Sequence, residues 1–237
     1  IRVVKTPPEI EIMRKANEIN LAGMLEVNRA VKEGADWNDA LIAHDVYLAK
    51  HDIMRTVGVR ISRVGKLGLC MLHPKDFEGY VPRSGDLVRF DFEGIYEGYW
   101  TDLGRSFVIG EPNDYQLKIY NAILEARNEA FRNAKPGVSA KDLCSTALDN
   151  IKKFRVKTET DGLGNQMAWS HVIGLELYEK WCWYPRGDFI MEEGMVFNYE
   201  TPYAQIGFGG MQLEDTFMVT KDGAVDLSPM NRELISI

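Results

Sequence analysis

A faint internal repeat is the feature of this sequence that most constrains its fold. The segment at 32–45, KEGADWNDALIAHD, resembles the segment at 135–149, KPGVSAKDLCSTALD, and the alignment places Gly34 on Gly137. Each segment reads as a turn that leads into a helix. The chain therefore has two stretches of similar design, separated by about a hundred residues.

The repeat continues into two β-hairpins, where it aligns acidic residues. SGDLVRFDFEG resembles EEGMVFNYETP, which places Asp91 on Glu200. GYWTDLGRSFVI resembles GMQLEDTFMVT, which places Asp102 on Glu214. Because two carboxylates fall on two carboxylates, we expect two related halves, each with two helices and then a hairpin that carries one acid per strand.

Hydrophobic periodicity and turn residues predict the individual elements. The first helix runs over 7–32, where apolar residues recur about every third position behind an N-cap at Thr6, and Gly34 ends it. The other predicted elements are helices at 37–50, 112–134 and within 135–154, β-like runs at 55–64 and 67–72, strands at 87–96 and 99–109, and, after a glycine-rich link at 161–164, strands to 220 and a short C-terminal helix.

Strand alternation divides the first predicted hairpin into two faces. Arg89, Asp91 and Glu93 share one face, whereas Phe90 and Phe92 share the other, which we expect to be core. Glu97 is expected to be a turn residue.

Pairing of the aligned acids across the strands sets a register for each hairpin. If Asp91 faces Asp102, the numbers of paired residues sum to 193, and if Glu200 faces Glu214 they sum to 414. Facing residues have Cβ atoms about 4.5–5.5 Å apart, and like charges at that distance are destabilising unless a cation lies between them. Four such carboxylates suit hard divalent cations, and two ions about 3.5–4 Å apart form a known hydrolytic arrangement.

A histidine would complete such a site. The chain has four, and the residues around them do not identify any one of them as a metal ligand. His44 and His51 fall on a predicted helix, as surface or hydrogen-bonded core residues. His171, in AWSHVIGLELYE, reads by itself as a hydrogen-bonded core histidine, and His73, in CMLHPKD, reads as a loop residue.

The same motifs resemble the "pita-bread" metallohydrolases, the family of methionine aminopeptidase, proline-specific aminopeptidase, prolidase and creatinase. DFEGIYEGYWTDLGRSF resembles the family signature Asp-x-Gly…Gly-Tyr-x-x-Asp…Arg-Thr-Phe, and SHVIGLELYE resembles its His-x-Ile-Gly-Leu-x-x-His-Glu segment. EEGMVFNYETPY and GMQLEDTFMVT resemble Pro-Gly-Met-Val-x-x-x-Glu-Pro and Gly-x-Arg-x-Glu-Asp. RVVKTPPEIEIMRKANEI resembles the opening helix of the proline-specific members, so the resemblance covers essentially the whole chain.

The resemblance implies an α+β pita-bread fold, with two pseudo-symmetric helix-helix-hairpin halves around a curved antiparallel sheet. Residues 1–237 would form one metallopeptidase-like catalytic domain. In many proline-specific members a separate domain precedes it, and we expect such an N-terminal domain in the full-length protein. Those relatives are commonly dimers, so the resemblance also implies a homodimer.

The resemblance also assigns metal ligands and a mechanism. Asp91 and Asp102 would bind one divalent ion, with Asp102 bridging, His171 and Glu200 would bind a second, and Glu214 would bridge both. The ions would be Mn, Co, Zn or Fe. A hydroxide held between them would attack the substrate carbonyl, and Glu200 would take the water proton.

Several positions depart from the family pattern, all on the substrate side. The second family histidine is Tyr178, a histidine of the proline-specific members is Met167, the arginine before the last glutamate is Gln212, and a small glycine is Glu93. A tyrosine can donate a hydrogen bond but is a poor proton shuttle near neutral pH. His73 matches the family's substrate-side histidine. Together these five residues are the predicted substrate-binding set, in which His73 and Tyr178 are also predicted to act in catalysis, and Glu93 is open as an extra ligand, a general base or a partner of Arg89.

Three functions fit these observations. The first is an Xaa-Pro dipeptidase or aminopeptidase that acts on small peptides. The second is a creatinase-like C–N hydrolase or a lyase of a small substrate on the same scaffold, whose pocket would use the aromatic residues of 178–189. The third is a non-catalytic binding protein, which the complete ligand set disfavours.

Composition narrows the partners and the compartment. The net charge of −7 argues against nucleic acid and anionic membranes as partners. No run of about 18 apolar residues predicts a membrane span. The three cysteines, Cys70, Cys144 and Cys182, have neither pair spacing nor zinc-ligand spacing, which is typical of the reducing cytoplasm.

Overall fold

The computed structural model describes residues 2–54, 63–65, 79–153, 168–205, 207–228 and 230–237. Its helices are α1 (Pro7–Lys32), α2 (Trp37–Lys50), α3 (Asp114–Asn133) and α4 (Ala140–Lys153). Its strands are β1 (Arg63–Val64), β2 (Leu87–Tyr96), β3 (Tyr99–Val108), β4 (Trp169–Val172), β5 (Lys180–Trp183), β6 (Arg186–Gly187), β7 (Val196–Glu200), β8 (Tyr203–Gln205), β9 (Gly209–Met211), β10 (Glu214–Thr220), β11 (Gly223–Asp226) and β12 (Ile235–Ser236).

Side-chain caps define where the helices begin. At α1 the Glu9 carboxylate accepts hydrogen bonds from the backbone N–H and the hydroxyl of Thr6, at 2.7 and 2.6 Å. At α2 the Asp36 side chain accepts from the N–H of Asp39, and at α3 Asn113 caps the first turn. These caps satisfy N–H groups that have no partner within the helix. No helix in the described part of the chain is long and apolar enough to cross a membrane.

The predicted repeat is visible in the fold. Each half contains an antiparallel helix pair followed by a β-hairpin, α1–α2 with β2–β3 and α3–α4 with β7–β10. Gly34 and Gly137 follow the first helix of each half with φ of 89° and 88°. This left-handed backbone conformation favours glycine, and it turns the chain in the same way at both positions.

One antiparallel sheet joins the halves, in the strand order β1-β2-β3-β10-β7-β4-β5-β6. β11 extends it at β10, and β12 pairs in parallel with β3. The halves meet where β3 pairs with β10. β8 and β9 form a separate two-stranded sheet.

Helices of each half cover the sheet through their own apolar cluster. Phe90 and Phe92, predicted as core, are buried against α1 and α2 together with Trp37. Phe197 and Phe217 lie in the equivalent cluster against α3 and α4. The opposite side chains of these strands are therefore left to build a site.

The expected register of the first hairpin was wrong. The two-residue turn 97–98 has positive φ at both positions, 50° and 86°, as the turns of tight hairpins require. Asp102 therefore faces Glu93, and Asp91 faces Gly104, two residues away from the expected pairing. Glu97 is a turn residue, as predicted.

The expected register of the second hairpin is confirmed. Glu200 faces Glu214 across β7 and β10. The same register continues into β8 and β9, where Tyr203 faces Met211. The two predicted acids of this half therefore lie directly opposite each other.

The predicted short C-terminal helix was also wrong. Residues 223–226 and 235–236 instead form β11 and β12. Both strands pair with β10 or β3, whose backbone groups at those positions would otherwise lack partners. Of the early β-like runs, 63–64 forms β1, and the rest lies outside the described residues, as does the link 161–164.

A buried ion cluster anchors β10 on the side away from the predicted acids. Asp215 accepts from Arg105, Arg127 and Arg232 at 2.7, 2.6 and 2.7 Å. Burial alone would raise the pKa of Asp215, but the three guanidinium groups outweigh burial and hold this pKa below its ordinary value. Arg105 also donates to the backbone carbonyl of Glu214 at 2.7 Å, so the cluster fixes that strand position.

We expect Asp215→Asn to lower the free energy of unfolding at neutral pH by about 3–5 kcal/mol, because buried Arg105 loses its counter-charge and Arg127 and Arg232 keep only Asp226. Because the folded-state pKa is depressed, the difference from wild type should be constant at neutral pH and should narrow below about pH 4. Urea titrations over this pH range measure it. Asp222→Asn, at an exposed turn position, is the matched control and should change little.

Candidate metal centre

Five neighbouring strands each supply one of the residues predicted to bind metal. In the sheet order β2-β3-β10-β7-β4, these residues are Asp91, Asp102, Glu214, Glu200 and His171. All five are buried. Residues far apart in sequence therefore meet because their strands are adjacent.

The five side chains lie in two rows that cross the sheet. In the first row, Asp91 faces Gly104, which faces Glu214, which faces Glu200. In the second row, two residues along each strand and so on the same face, lie Asp102 on β3 and His171 on β4.

Two groups of potential ligand atoms result. The oxygens of Asp91, Glu200 and Glu214 lie within 4.8 Å of one another, and so do ligand atoms of Asp102, His171 and Glu214. Glu214 belongs to both groups, as expected of a bridging residue. The groups place Glu200 with Asp91 rather than with His171, so they divide the residues differently from the expected assignment, which stays a prediction.

His171 presents its Nε2 atom to the carboxylates. It is fully buried, and its Nδ1 lies 2.8 Å from the carbonyl oxygen of Leu177, which only a protonated Nδ1 can donate to. Its Nε2 lies 3.5 Å from Asp102 and 3.7 Å from Glu214, with no hydrogen-bond partner. The Nδ1 contact therefore orients Nε2 toward the carboxylates, where a cation between them could be bound by both kinds of ligand.

Burial and crowding raise the pKa values of two acids of the site, Asp102 and Glu93. Burial, and then the charges of Glu214 and Asp91, hold the pKa of Asp102 well above its ordinary range. Burial, with Asp91 and Glu214, raises the pKa of Glu93 to about 8. The site therefore repels negative charge and favours a divalent cation.

Asn198 is a site residue that the sequence reasoning missed. Its Nδ2 donates to Glu214 Oε1 at 2.9 Å and to the carbonyl of Asp102 at 2.6 Å. Strand alternation could have indicated this residue, because Asn198 stands two residues before Glu200 on β7 and therefore lies on the same face of the sheet.

The predicted substrate-binding residues lie in different surroundings. Tyr178 is 42% exposed, and its ring centroid lies 4.7 Å from that of His171. Partial burial and the nearby Asp102 raise the pKa of Tyr178 above its ordinary value, so the phenol stays protonated near neutral pH and can donate a hydrogen bond. Glu93 is half-buried beside Asp102 and does not pair with Arg89, which contacts Asp91 and Gln212 instead.

The other three members of the predicted substrate-binding set are Gln212, His73 and Met167. Gln212 is fully buried, and its contacts are with other site residues. His73 and Met167 lie outside the described residues. Their substrate roles stay predictions.

Gly104, in the first row, has no side chain, and the side chains of Gln212 and Glu214 occupy the space that a Cβ atom there would need. A Cβ there would lie 2.8 Å from Gln212 Cγ and 2.9 Å from Glu214 Cβ. Contacts this short do not occur between real side chains, so glycine is required by close approach.

The fold is the pita-bread fold that the sequence predicted, and its sheet carries two groups of potential metal ligands. The profile of metallopeptidase family M24 matches residues 11–221, and the chain belongs to this family. Family membership implies the use of divalent metal, and the described acidic groups fit such an ion.

Relatives of known name agree with this assignment. The chain is 31% identical to the Xaa-Pro dipeptidase of Pyrococcus furiosus over 241 residues, which cover 99% of this chain and 66% of that protein. The crystal structure of the prolidase from Pyrococcus horikoshii OT3 superposes with a TM-score of 0.83 at 30% identity, covering 99% of this chain and 65% of that one. The X-Pro aminopeptidase from Thermotoga maritima MSB8 gives 0.82 at 26% identity, covering 100% and 65%. The chain thus spans just under two-thirds of the length of these relatives.

We expect Gly104→Ala to weaken the affinity for Mn²⁺, measured by calorimetry on metal-free protein, because the added methyl group displaces Gln212 and Glu214. The matched control is Gly94→Ala on β2, whose Cβ would meet Ile53 at 2.5 Å outside the site. Both variants should lose about 1–3 kcal/mol of unfolding free energy through overpacking. Equal Mn²⁺ affinities in the two variants would contradict the role given to Gly104.

Proposed function

We propose that this chain carries the catalytic site of a metal-dependent Xaa-Pro peptidase, a dipeptidase or an aminopeptidase, that uses two divalent ions. The observation that carries the proposal is the Nε2 atom of His171. It is buried and without a hydrogen-bond partner, and it faces the carboxylates of Asp102 and Glu214 at 3.5 and 3.7 Å. The names of the relatives support the Xaa-Pro specificity.

The residues of the chain divide the work of hydrolysis. When bound, divalent cations polarise a carbonyl and lower the pKa of water toward neutrality. Asp91, Asp102, His171, Glu200 and Glu214 would hold the ions. Glu200 would also accept the proton of the attacking water, because it lies at the edge of the first row with its carboxylate among the other ligands. The phenol of Tyr178 would donate a hydrogen bond to the carbonyl oxygen as negative charge develops there.

A second candidate is hydrolysis or elimination of a small non-peptide substrate on the same scaffold. The observation that favours it is Tyr178, whose raised pKa excludes it from shuttling a proton near neutral pH. Glu93 adds a half-buried acidic side chain beside the site, where the resembled pattern has a glycine. Substrate panels separate the two candidates.

The finer assignments are proposals of the same kind. The native ions are Mn, Co, Zn or Fe, which all accept a mixed carboxylate and histidine set. His73, Glu93, Met167 and Tyr178 contribute to substrate binding, and Gln212, which is fully buried, contributes through the carboxylates that it contacts. Residues 1–237 form one catalytic unit, because both halves share one sheet, and the protein acts as a cytoplasmic homodimer.

We expect the protein purified without chelator to contain two divalent ions per chain by mass spectrometry, and to cleave Xaa-Pro dipeptides faster than Xaa-Ala dipeptides. His171→Ala should retain at most one ion and lose turnover, because a ligand is gone. His51→Ala is the matched control, since His51 is exposed at the end of α2. Fewer than one ion per wild-type chain would contradict both candidate functions, and turnover of small amides alone would favour the second.

We expect Tyr178→Phe to lower kcat for Xaa-Pro dipeptides about 100-fold with little change in KM, because one donor to the developing charge is lost. Tyr178→His restores a donor that can also transfer protons and should match or exceed wild-type turnover. Steady-state kinetics measure both variants. Tyr115→Phe, at an exposed tyrosine of α3, is the control. If Tyr178→His loses all activity, the tyrosine has a role that a histidine cannot fill.

A further inference from the structure

A buried arginine lies behind the first row of carboxylates. Arg89 is only 1% exposed, and it stands two residues before Asp91 on the same face of β2. Its Nε donates to Gln212 Oε1 at 2.6 Å, and its Nη2 lies 3.5 Å from Asp91 Oδ2. Burial of a guanidinium is costly, so these contacts are the compensation that the site provides for it.

Gln212 connects this arginine to three of the carboxylates. Its Nε2 lies 2.8 Å from Glu200 Oε2, 3.1 Å from Glu214 Oε2 and 3.2 Å from Asp91 Oδ2. These three residues are the members of one group of potential metal ligands. A single amide nitrogen therefore touches every carboxylate of that group.

The orientation of this amide depends on Arg89. The two ends of a glutamine amide are nearly identical in shape, so hydrogen-bond partners decide which way it points. The Nε of arginine can only donate, and so it binds the oxygen end of Gln212 and leaves the nitrogen end toward the carboxylates. With the opposite orientation, the carbonyl oxygen of Gln212 would face three carboxylates and its NH₂ group would face the guanidinium of Arg89.

We propose that Arg89 and Gln212 form one positioning unit, in which Arg89 fixes the orientation of the Gln212 amide and this amide holds Asp91, Glu200 and Glu214 at the spacing that divalent ions require. The proposal rests on the proposed metal-dependent function. Neither residue is a ligand in this scheme. Both act through the carboxylates, and Gly104 leaves the room that the glutamine side chain needs.

A double-mutant cycle tests the unit. The variants are Arg89→Met, Gln212→Leu and the pair together, and the readout is Mn²⁺ affinity by calorimetry on metal-free protein. We expect each single change to weaken binding about 10–100-fold, as loss of partners of metal ligands does. The losses should be clearly less than additive, because Arg89 acts mainly by orienting Gln212 and only its long 3.5 Å contact with Asp91 is independent of that residue.

The absorption spectrum of the Co²⁺-loaded protein provides a second readout, because it reports ligand geometry rather than stability. It should change in all three variants. It should stay unchanged in Gly94→Ala, which loses stability outside the site, and in Arg29→Met, which removes an exposed arginine of α1.

Several outcomes would contradict the proposal that Arg89 and Gln212 act as one positioning unit. Additive losses in the cycle would show that the two residues act independently, and unchanged affinities would show that neither positions the ligands. If Arg89→Met does not fold, Arg89→Lys replaces it in the cycle, since lysine keeps the charge but lacks the fixed Nε geometry. A wild-type protein that binds no Mn²⁺ would overturn the proposed function and the unit with it, whereas normal wild-type binding with unaffected variants would overturn the unit alone.

Discussion

Repulsion among buried carboxylates at the junction of β3, β10 and β7 is the constraint on which the site depends. Two neighbouring residues of β10, Glu214 and Asp215, are buried acids whose negative charges are compensated in different ways. Asp215 points to one face, where three guanidinium groups neutralise it. Glu214 points to the other face, where Asp91, Asp102 and Glu200 surround it and the Nε2 atom of His171 lies 3.7 Å away. Arg105 ties the two faces together through the Glu214 carbonyl, so the structure that neutralises one acid also holds the other in a crowded position.

The pseudo-symmetry explains how a chain of this length builds such a crowded centre. One half supplies Asp91 and Asp102, the other supplies Glu200 and Glu214, and the sheet closes where β3 meets β10. Neither hairpin alone places enough ligands around a cation. His171 has no equivalent among these acids and arrives on β4, at the outer side of β7. The metal centre therefore exists only when both halves share one sheet, which couples the site to the fold.

Much of this could be predicted from the sequence, because periodicity and turn residues are local. The acids were found because the repeat aligned them, and Phe90 and Phe92 were found by alternation. The register of the first hairpin was missed because the pairing of Asp91 with Asp102 was assumed, although the dipeptide at 97–98 already indicated a two-residue turn. Contacts made across strands far apart in sequence, such as that of Arg89 with Gln212, leave no local pattern and could not be predicted from a single chain.

The departures from the family pattern are related to one another. The sequence resembles proteins that carry an arginine where Gln212 stands, and the structure supplies a guanidinium from Arg89 on a neighbouring part of the sheet instead. Glu93 adds an acid on the same strand face as this arginine. Arg89 keeps one positive charge beside the carboxylates, so Glu93 makes the site one charge more negative than the pattern it resembles when all the acids are ionised. The substitutions therefore keep a guanidinium next to the predicted ligands while they change the chemistry of the surface beside Tyr178, where a substrate would lie.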